Sequence, residues 1–450
     1  MIRLPLLSDL LRVCIGALIL ARALWADASQ SAFPSGSSAS VSDPHIGAEG
    51  ATVPVEHLVG LALAHNPNRE VWEANRAVAA AEVTRARAWS NPELEMSGGR
   101  SRARDGGARE TIHGLDVRQR LELPGKRSAR IKAAESERGV AEREAAVDAL
   151  DLEAEVRSAA LLVAAADAAV MRAEAAAALA NEIQVVVEKR LTAGETDQGD
   201  VARVRSESAV ATLALEAARR AAEAARATLR AWCGEGLPAR FTVADALTVE
   251  PVSMTAEAAR AAALAVHPRL AVLVAQAKAR RADILREEKT WYPDVTVGAF
   301  ADRESDTNNH GLSLGVELPL WNRNQGGIAA ARADLSRISA ERKRELAALQ
   351  REVGFAWSAC ERERLRAEGL GVTVVPAANE ALTLRMKAFR AGESSLLEVL
   401  DARRAALAAE EALLEARRSA AEARITLAKA MGTFNKPTST NDVPAKDSQP

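Results

Sequence analysis

Leu121-Glu122-Leu123-Pro124 is answered further along the chain by Val316-Glu317-Leu318-Pro319, and this echo decides how the rest is read. In both stretches apolar residues alternate with others and stop at a proline, as at the end of a β-strand. Working outward, Asn66-Pro67 falls on His267-Pro268, and Ser90-Asn91-Pro92 on Trp291-Tyr292-Pro293. His113-Gly114-Leu115 falls on His310-Gly311-Leu312, and Ala193-Gly194-Glu195 on Ala391-Gly392-Glu393. Similar short endings, Ala231 to Gly234 and Ala428 to Gly432, close the two halves. A period of about 200 residues is too long for a solenoid unit. The chain therefore reads as a duplicated half-domain, 54–250 and 251–434, whose copies pack against each other.

The two ends are of another kind. Residues 1–28 read as a secretory signal: Arg3 opens a short positive region, Val13 to Leu20 is an apolar core, and Ala26-Asp27-Ala28 offers a small-x-small cleavage site. Cys14 follows Arg12 and Val13 instead of the small residues that a lipid-attachment site wants. Residues 29–53, rich in Ser, Gly and Pro, read as a disordered linker, and 435–450 as a disordered tail. With the signal removed, Cys233 and Cys360 remain, one in each repeat, which is no disulfide framework.

Composition excludes several classes. A formal net charge of −2 gives no electrostatic case for a nucleic-acid partner. No uncharged run of about 20 apolar residues follows the signal, so no membrane-spanning helix is expected. Aromatic residues make up only 3%, too few for a large globular core, and the apolar content is mostly alanine in long charged segments. That predicts helices packed closely through thin interfaces.

Val399, Ala402, Ala406, Ala409, Leu413, Ala416, Ala420, Ala423, Leu427 and Ala430 follow one another at spacings of three and four, a coiled-coil seam. Val156, Ala159, Val163, Ala166 and Val170 do the same inside a proline-free segment from Lys126 to Leu191. At about 1.5 Å per residue this segment is a rod of roughly 100 Å. Its neighbours within the repeat, Asn68 to Ala88 and Asp200 to Trp232, match that length only when stacked end to end. Each repeat thus pairs one continuous helix with one broken helix. The second repeat divides in the same way, Ile328 to Phe389 against Arg269 to Lys289 plus Glu398 to Met431.

Between the helices of each repeat lies a strand pair, at about 92–123 and about 293–319. Leu115, Val117, Leu121 and Leu123 recur mostly at even spacing, as do Val295, Val297 and Ala299, then Leu312, Leu314, Val316 and Leu318. The polar connections Gly98 to Thr111 and Ala301 to His310 read as exposed loops. Trp89, Trp291, Tyr292 and Trp321 gather at the boundaries, as in an interfacial aromatic belt. Each strand is long enough to cross a bilayer, but four strands cannot close a barrel, and open edges in lipid cost several kcal/mol per unpaired group. Several chains must share one barrel. Two would supply eight strands, enclosing little beyond side chains; three would supply twelve and leave a lumen.

At these residues the chain resembles the TolC-like outer-membrane efflux channels, from about Pro54 to Phe434. The resemblance rests on the duplication, on the strand pair inserted in each helical half, and on the turns Ala193-Gly194-Glu195 and Ala391-Gly392-Glu393. Asp200-Val201 and Glu398-Val399-Leu400-Asp401 follow those turns. The resemblance implies a mainly α fold with a transmembrane β part: long coiled-coil helices forming a periplasmic α-barrel, and four strands per chain entering a trimeric twelve-stranded outer-membrane β-barrel. It further implies a periplasmic adaptor and an inner-membrane pump of the RND type. Leu123-Pro124-Gly125-Lys126-Arg127 and Leu318-Pro319-Leu320-Trp321-Asn322-Arg323-Asn324-Gln325-Gly326 look like the heavy-metal branch that serves cobalt-zinc-cadmium exporters.

By position, the resemblance places Glu398 and Asp401, with Asp200 as first-repeat counterpart, in acidic rings narrowing the periplasmic entrance. Carboxylates around a threefold axis attract cations and repel one another. From the residues alone, Glu398 and Asp401 read first as charges that favour a helix N-terminus, and the resemblance reverses that preference. Where some relatives carry a latch arginine, this chain has Ser394. Gly194 and Gly392 read as left-handed helix stops at the tunnel tips. Their neighbours Arg190, Thr192, Glu195, Arg390, Glu393 and Ser394 would be exposed for the adaptor. His45, His57, His65, His113, His267 and His310 form no pair at metal-ligand spacing, and no nucleophile elbow or phosphate loop occurs. The expectation is no cofactor, no metal site and no enzyme, with drug efflux or type I protein secretion as the alternative cargo.

Overall fold

The computed structural model describes residues 51–102, 109–234, 237–244, 246–304 and 307–434. The expected signal and C-terminal tail lie outside the described residues. After a short strand β1 (Ala51–Val53) come α1 (Val55–His65) and α2 (Asn68–Arg87), a hairpin β2 (Glu93–Arg102) and β3 (Arg109–Leu121), then α3 (Lys126–Thr192) and α4 (Gln198–Cys233). A second short strand, β4 (Phe241–Val243), precedes the same order again: α5 (Ala256–Val266), α6 (Pro268–Thr290), β5 (Val295–Glu304), β6 (Thr307–Val316), α7 (Gln325–Gly369), α8 (Val375–Arg390) and α9 (Leu396–Met431).

Two expectations are corrected. Ala51–Val53, read as the end of a disordered linker, is a strand that pairs in parallel with Phe241–Val243. Val53 is fully buried in the cluster formed by Leu58, Val156, Leu229 and Phe241. Three residues are too few to show an alternation, and the partner lies in a distant part of the chain, so local pattern could not reveal the pairing. The hairpin connections are also shorter than Gly98–Thr111 and Ala301–His310: ladder pairing runs to Arg102↔Arg109 and Glu304↔Thr307. Apolar alternation stops earlier because it records a greasy face, whereas backbone hydrogen bonds extend a strand regardless of side-chain polarity.

The four long strands form one antiparallel sheet in the order β2-β3-β5-β6, which joins the repeats through β3 and β5. Register puts Leu94 beside Val117, Val117 beside Ala299, Ala299 beside Leu312, and Val297 beside Leu314. These residues share one face, and Leu94, Met96, Leu312 and Leu314 are strongly exposed there. The opposite face carries Glu93, Glu95, Asp116 and Arg118, with Arg118 bridging Asp116 at 2.8 Å and Glu95 at 3.2 Å. β2 and β6 are the two outer strands of this sheet.

The helices pack side by side. Near the sheet α2 lies on α3, α3 on α6 and α6 on α7; towards the far end α4 lies on α3, α3 on α9 and α9 on α8. α3 is continuous over 67 residues, and the broken partner appears as α2 and α4. Of the seam in α9, Val399, Ala406, Ala409, Ala416, Ala420, Leu427 and Ala430 are buried. The second long helix is interrupted by a π-helical turn, Leu370–Val374, just before Pro376. Proline lacks the amide donor and crowds the carbonyl four residues back, so the turn widens around it.

Residues 256–290 contain one 18-residue stretch apolar enough for a membrane-spanning helix, but the remainder is heavily charged. His267-Pro268 divides them into two helices, and Arg269 within them pairs with Glu345 at 3.1 Å and Glu352 at 2.7 Å. They form a bent joint packed on α7.

Candidate functional site

The ends of α3 and α8 and the starts of α4 and α9 meet at the pole opposite the sheet. A shared apolar cluster, Ile183, Val187, Val201, Val204, Met386, Phe389, Leu396, Val399 and Leu400, binds the two helical hairpins together. Both hairpin turns are built alike. Gly194 (φ 77°) and Gly392 (φ 80°) take the left-handed conformation. Gly194 N–H bonds the Leu191 carbonyl and Glu195 N–H that of Arg190; Gly392 N–H bonds Phe389 and Glu393 N–H bonds Ala388. These paired bonds satisfy carbonyls that the helix ends leave free.

The acidic residues sit immediately beyond. Asp197 caps α4 by accepting the Asp200 amide at 2.8 Å, and Thr196 Oγ1 donates to Asp200 Oδ2 at 2.7 Å. In the second repeat Ser395 accepts the Glu398 amide at 3.3 Å, while the Glu398 carboxylate accepts the Ser395 amide at 3.3 Å, a capping box. Ser394, the residue at the latch position, donates its hydroxyl to Glu398. Thr196 with Asp200 and Ser394 with Glu398 therefore stand at the same steps after their turn glycines. The Ser394 hydroxyl, then the Ser395 amide and Arg385 at 3.6 Å, hold the Glu398 carboxyl below the ordinary glutamate range. Glu398 acts as a cap and stays half exposed, so the two sequence readings of this residue are compatible. Asp401 is more open, 65% exposed, with Arg404 at 3.9 Å.

The tip residues differ in how far they face outward. Ala193 to Glu195 and Ala391 to Glu393 are exposed. Arg190 turns back across the repeat boundary, stacking 4.8 Å from the Phe389 ring and donating to the Phe389 carbonyl at 3.4 Å. Arg390 reaches the other way to Glu182. Ser394 is buried. Sequence reasoning missed a further tie: Arg403, 4% exposed, and Arg404 both bind Glu207 of α4, Arg403 at 3.2 Å. The one available signal was an arginine directly beside the seam residue Ala402.

At the opposite end of the helices, Trp89, Trp291, Tyr292 and Trp321 lie where strands meet helices. By register all four boundaries fall on one edge of the sheet. Trp321 is 91% exposed and Trp89 is 61% exposed with Arg127 stacked on it at 4.9 Å. Trp291 and Tyr292 meet edge to face at 5.3 Å. Beside them Asp294 binds Lys126 at 2.6 Å and Arg120 at 2.5 Å, tying β3 and α3 to the start of β5.

Among the described residues no group of histidine, cysteine and carboxylate side chains could hold a metal ion. A cavity of about 520 Å³ opens between α2, α3, α6 and α7, but its Glu137 is bound to Arg280 and its Glu341 to Arg337. Cys233 and Cys360 are buried free thiols, Cys233 pushed up to about 11 by burial.

Comparison with known proteins agrees with this geometry. The family described as outer membrane efflux protein matches twice, over residues 58–235 and 259–433. The chain is 31% identical to the cobalt-zinc-cadmium resistance protein CzcC of Cupriavidus metallidurans, over 73% of this chain and 77% of that one. It is 32% identical to the nickel and cobalt resistance protein CnrC of the same organism, over 65% and 69%. Among solved structures, CusC, described in terms of transmembrane channel formation, superimposes with a TM-score of 0.69 at 19% identity, covering 84% of this chain and 92% of that one. The chain belongs to the outer membrane efflux protein family: it is an outer-membrane efflux duct with a periplasmic helical tunnel, a passive channel and not an enzyme.

Proposed function

We propose that the chain is the outer-membrane exit duct of a tripartite heavy-metal efflux system, passively conducting metal cations handed on by a periplasmic adaptor and an inner-membrane RND-type pump. The observation that carries the cargo is the 31% identity to a cobalt-zinc-cadmium resistance protein across most of both chains. The working unit is a homotrimer. The sheet ends in β2 on one side and β6 on the other, and three copies joined edge to edge give a closed twelve-stranded barrel. The helical flanks support the same closure: Val71, Val78, Val210 and Leu213 are exposed on α2 and α4, and Phe355, Leu365 and Leu384 on α7 and α8.

In that assembly Asp200, Glu398 and Asp401 of each copy surround the entrance as an acidic constriction that admits cations and repels its own members apart. Gly194, Glu195, Gly392 and Glu393 present the adaptor with an exposed rim; Arg190, Arg390 and Ser394 brace that rim from behind. Trp89, Trp291, Tyr292 and Trp321 anchor the membrane boundary.

The test combines Glu398→Ala with Asp401→Ala in planar bilayers. Conductance should rise and preference for cations over anions should fall. Currents and selectivity identical to wild type would remove these residues from the constriction.

A further inference from the structure

Asn66 and His267 hold equivalent places in the two repeats, each between a short helix and the helix that leads into a strand. Both are almost fully enclosed, 5% and 2% exposed, and both precede a proline. Both also cap the helix that follows. Asn66 Oδ1 accepts the Asn68 amide at 3.0 Å, and His267 Nδ1 accepts the Arg269 amide at 3.1 Å. Asn66 completes its joint by donating through Nδ2 to the Trp232 carbonyl at the end of α4, at 3.0 Å. The corresponding histidine atom, Nε2, faces the Lys429 carbonyl near the end of α9 without a well-formed hydrogen bond. That carbonyl already accepts the Gly432 amide at 2.9 Å. Packing is tight: a Cβ on Gly432 would lie 2.8 Å from the His267 Cα.

The two caps differ in one chemical respect. An amide oxygen accepts at any ordinary pH, whereas an imidazole nitrogen accepts only while it carries no proton. A proton on Nδ1 would set a donor against the Arg269 amide and place a cation in a dry site. The charged groups around it are Arg269 on α6, Glu352 on α7, Lys429 on α9 and Asp151 on α3. Glu352 and Asp151 favour an imidazolium, but each is already paired, with Arg269 at 2.7 Å and with Lys429 at 2.9 Å, and burial outweighs their pull. Burial, with Arg269 adding to it, holds His267 below the ordinary imidazole range.

We propose that His267 makes the helix joint of the second repeat an acid-releasable cap, a device that the first repeat lacks because Asn66 stands there. Protonation undoes the α6 cap and loosens α5 and α6 from the end of α9, the helix that carries Glu398 and Asp401. The sign follows from linkage: the folded joint binds the proton less readily than the unfolded chain. Its stability is therefore whole above about pH 6.5 and falls as pH drops from there towards the lowered folded value, by at most about tenfold per pH unit.

Hydrogen exchange on the full-length protein in detergent, at about pH 7.5 and about pH 5.5 and corrected for intrinsic rates, tests this. Peptides across residues 256–275 should lose protection up to about tenfold in acid, and those across 55–75 should hold theirs. His267→Asn, which copies the first repeat, should keep the protection of 256–275 at both pH values. An equal acid response from the two joints, or an undiminished response in His267→Asn, would overturn the proposal. Should that variant not fold, the contrast between the two wild-type joints decides by itself.

Discussion

Arg403 is a buried guanidinium near the start of α9, and Glu207, the carboxylate it binds, is shared with Arg404. Burying such a charge is tolerable only while its partner stays in place. Glu207→Ala should therefore cost about 3 kcal/mol or more in denaturant unfolding, whereas the double change Glu207→Leu with Arg403→Met should cost much less. A single variant as stable as wild type would show that the pair is solvated. At this scale the sequence was legible at the hairpin turns. The turn glycines Gly194 and Gly392 announce their helix ends in the sequence, whereas the caps Asp197 and Ser395 emerge only in the structure. Glu207 and Arg403 lie 196 positions apart, and no local periodicity encodes such a meeting.

Elements follow the sequence closely where one period runs long. The unbroken α3 and the seam of α9 were both readable from apolar residues at three and four, although α3 buries more than one face, against α2 and α6 near the sheet and α4 and α9 beyond it. The π-helical turn was not readable in advance, since Pro376 sits inside an otherwise helical pattern and only the packed structure shows which remedy the backbone adopts. Hairpin turns are sharper tests. Gly392 has open space about it, the nearest atom to an added Cβ being Arg190 Nη2 at 3.8 Å, so a methyl group there meets no wall. Its φ of 80° is the sole objection. Gly392→Ala should consequently lower stability by roughly 1 kcal/mol in thermal or denaturant melts, with the tip otherwise unchanged. No measurable loss would mean that the turn relaxes out of the left-handed region.

For the whole molecule, alanine-rich composition already implied slender helices laid side by side, and the duplication implied two matching halves. What composition could not say is how the halves interlock: β3 pairs with β5, and α3 packs on both α6 and α9, so each repeat completes the other. If three copies close the barrel, cysteines placed at Met96 in β2 and Leu314 in β6 should join neighbouring chains through a short bismaleimide. Denaturing gels would then show a covalent trimer, with either single variant remaining a monomer. A dimer as the largest product would contradict threefold closure. The sheet's two open sides bear on manufacture as well as on shape. A newly made copy arrives with a pair of raw margins and a water-averse surface, and any stray extended peptide can settle there before its siblings do. Overproduction would then be punished by clumping instead of rewarded with spare conduits, so the rate of supply must be matched to the rate of meeting.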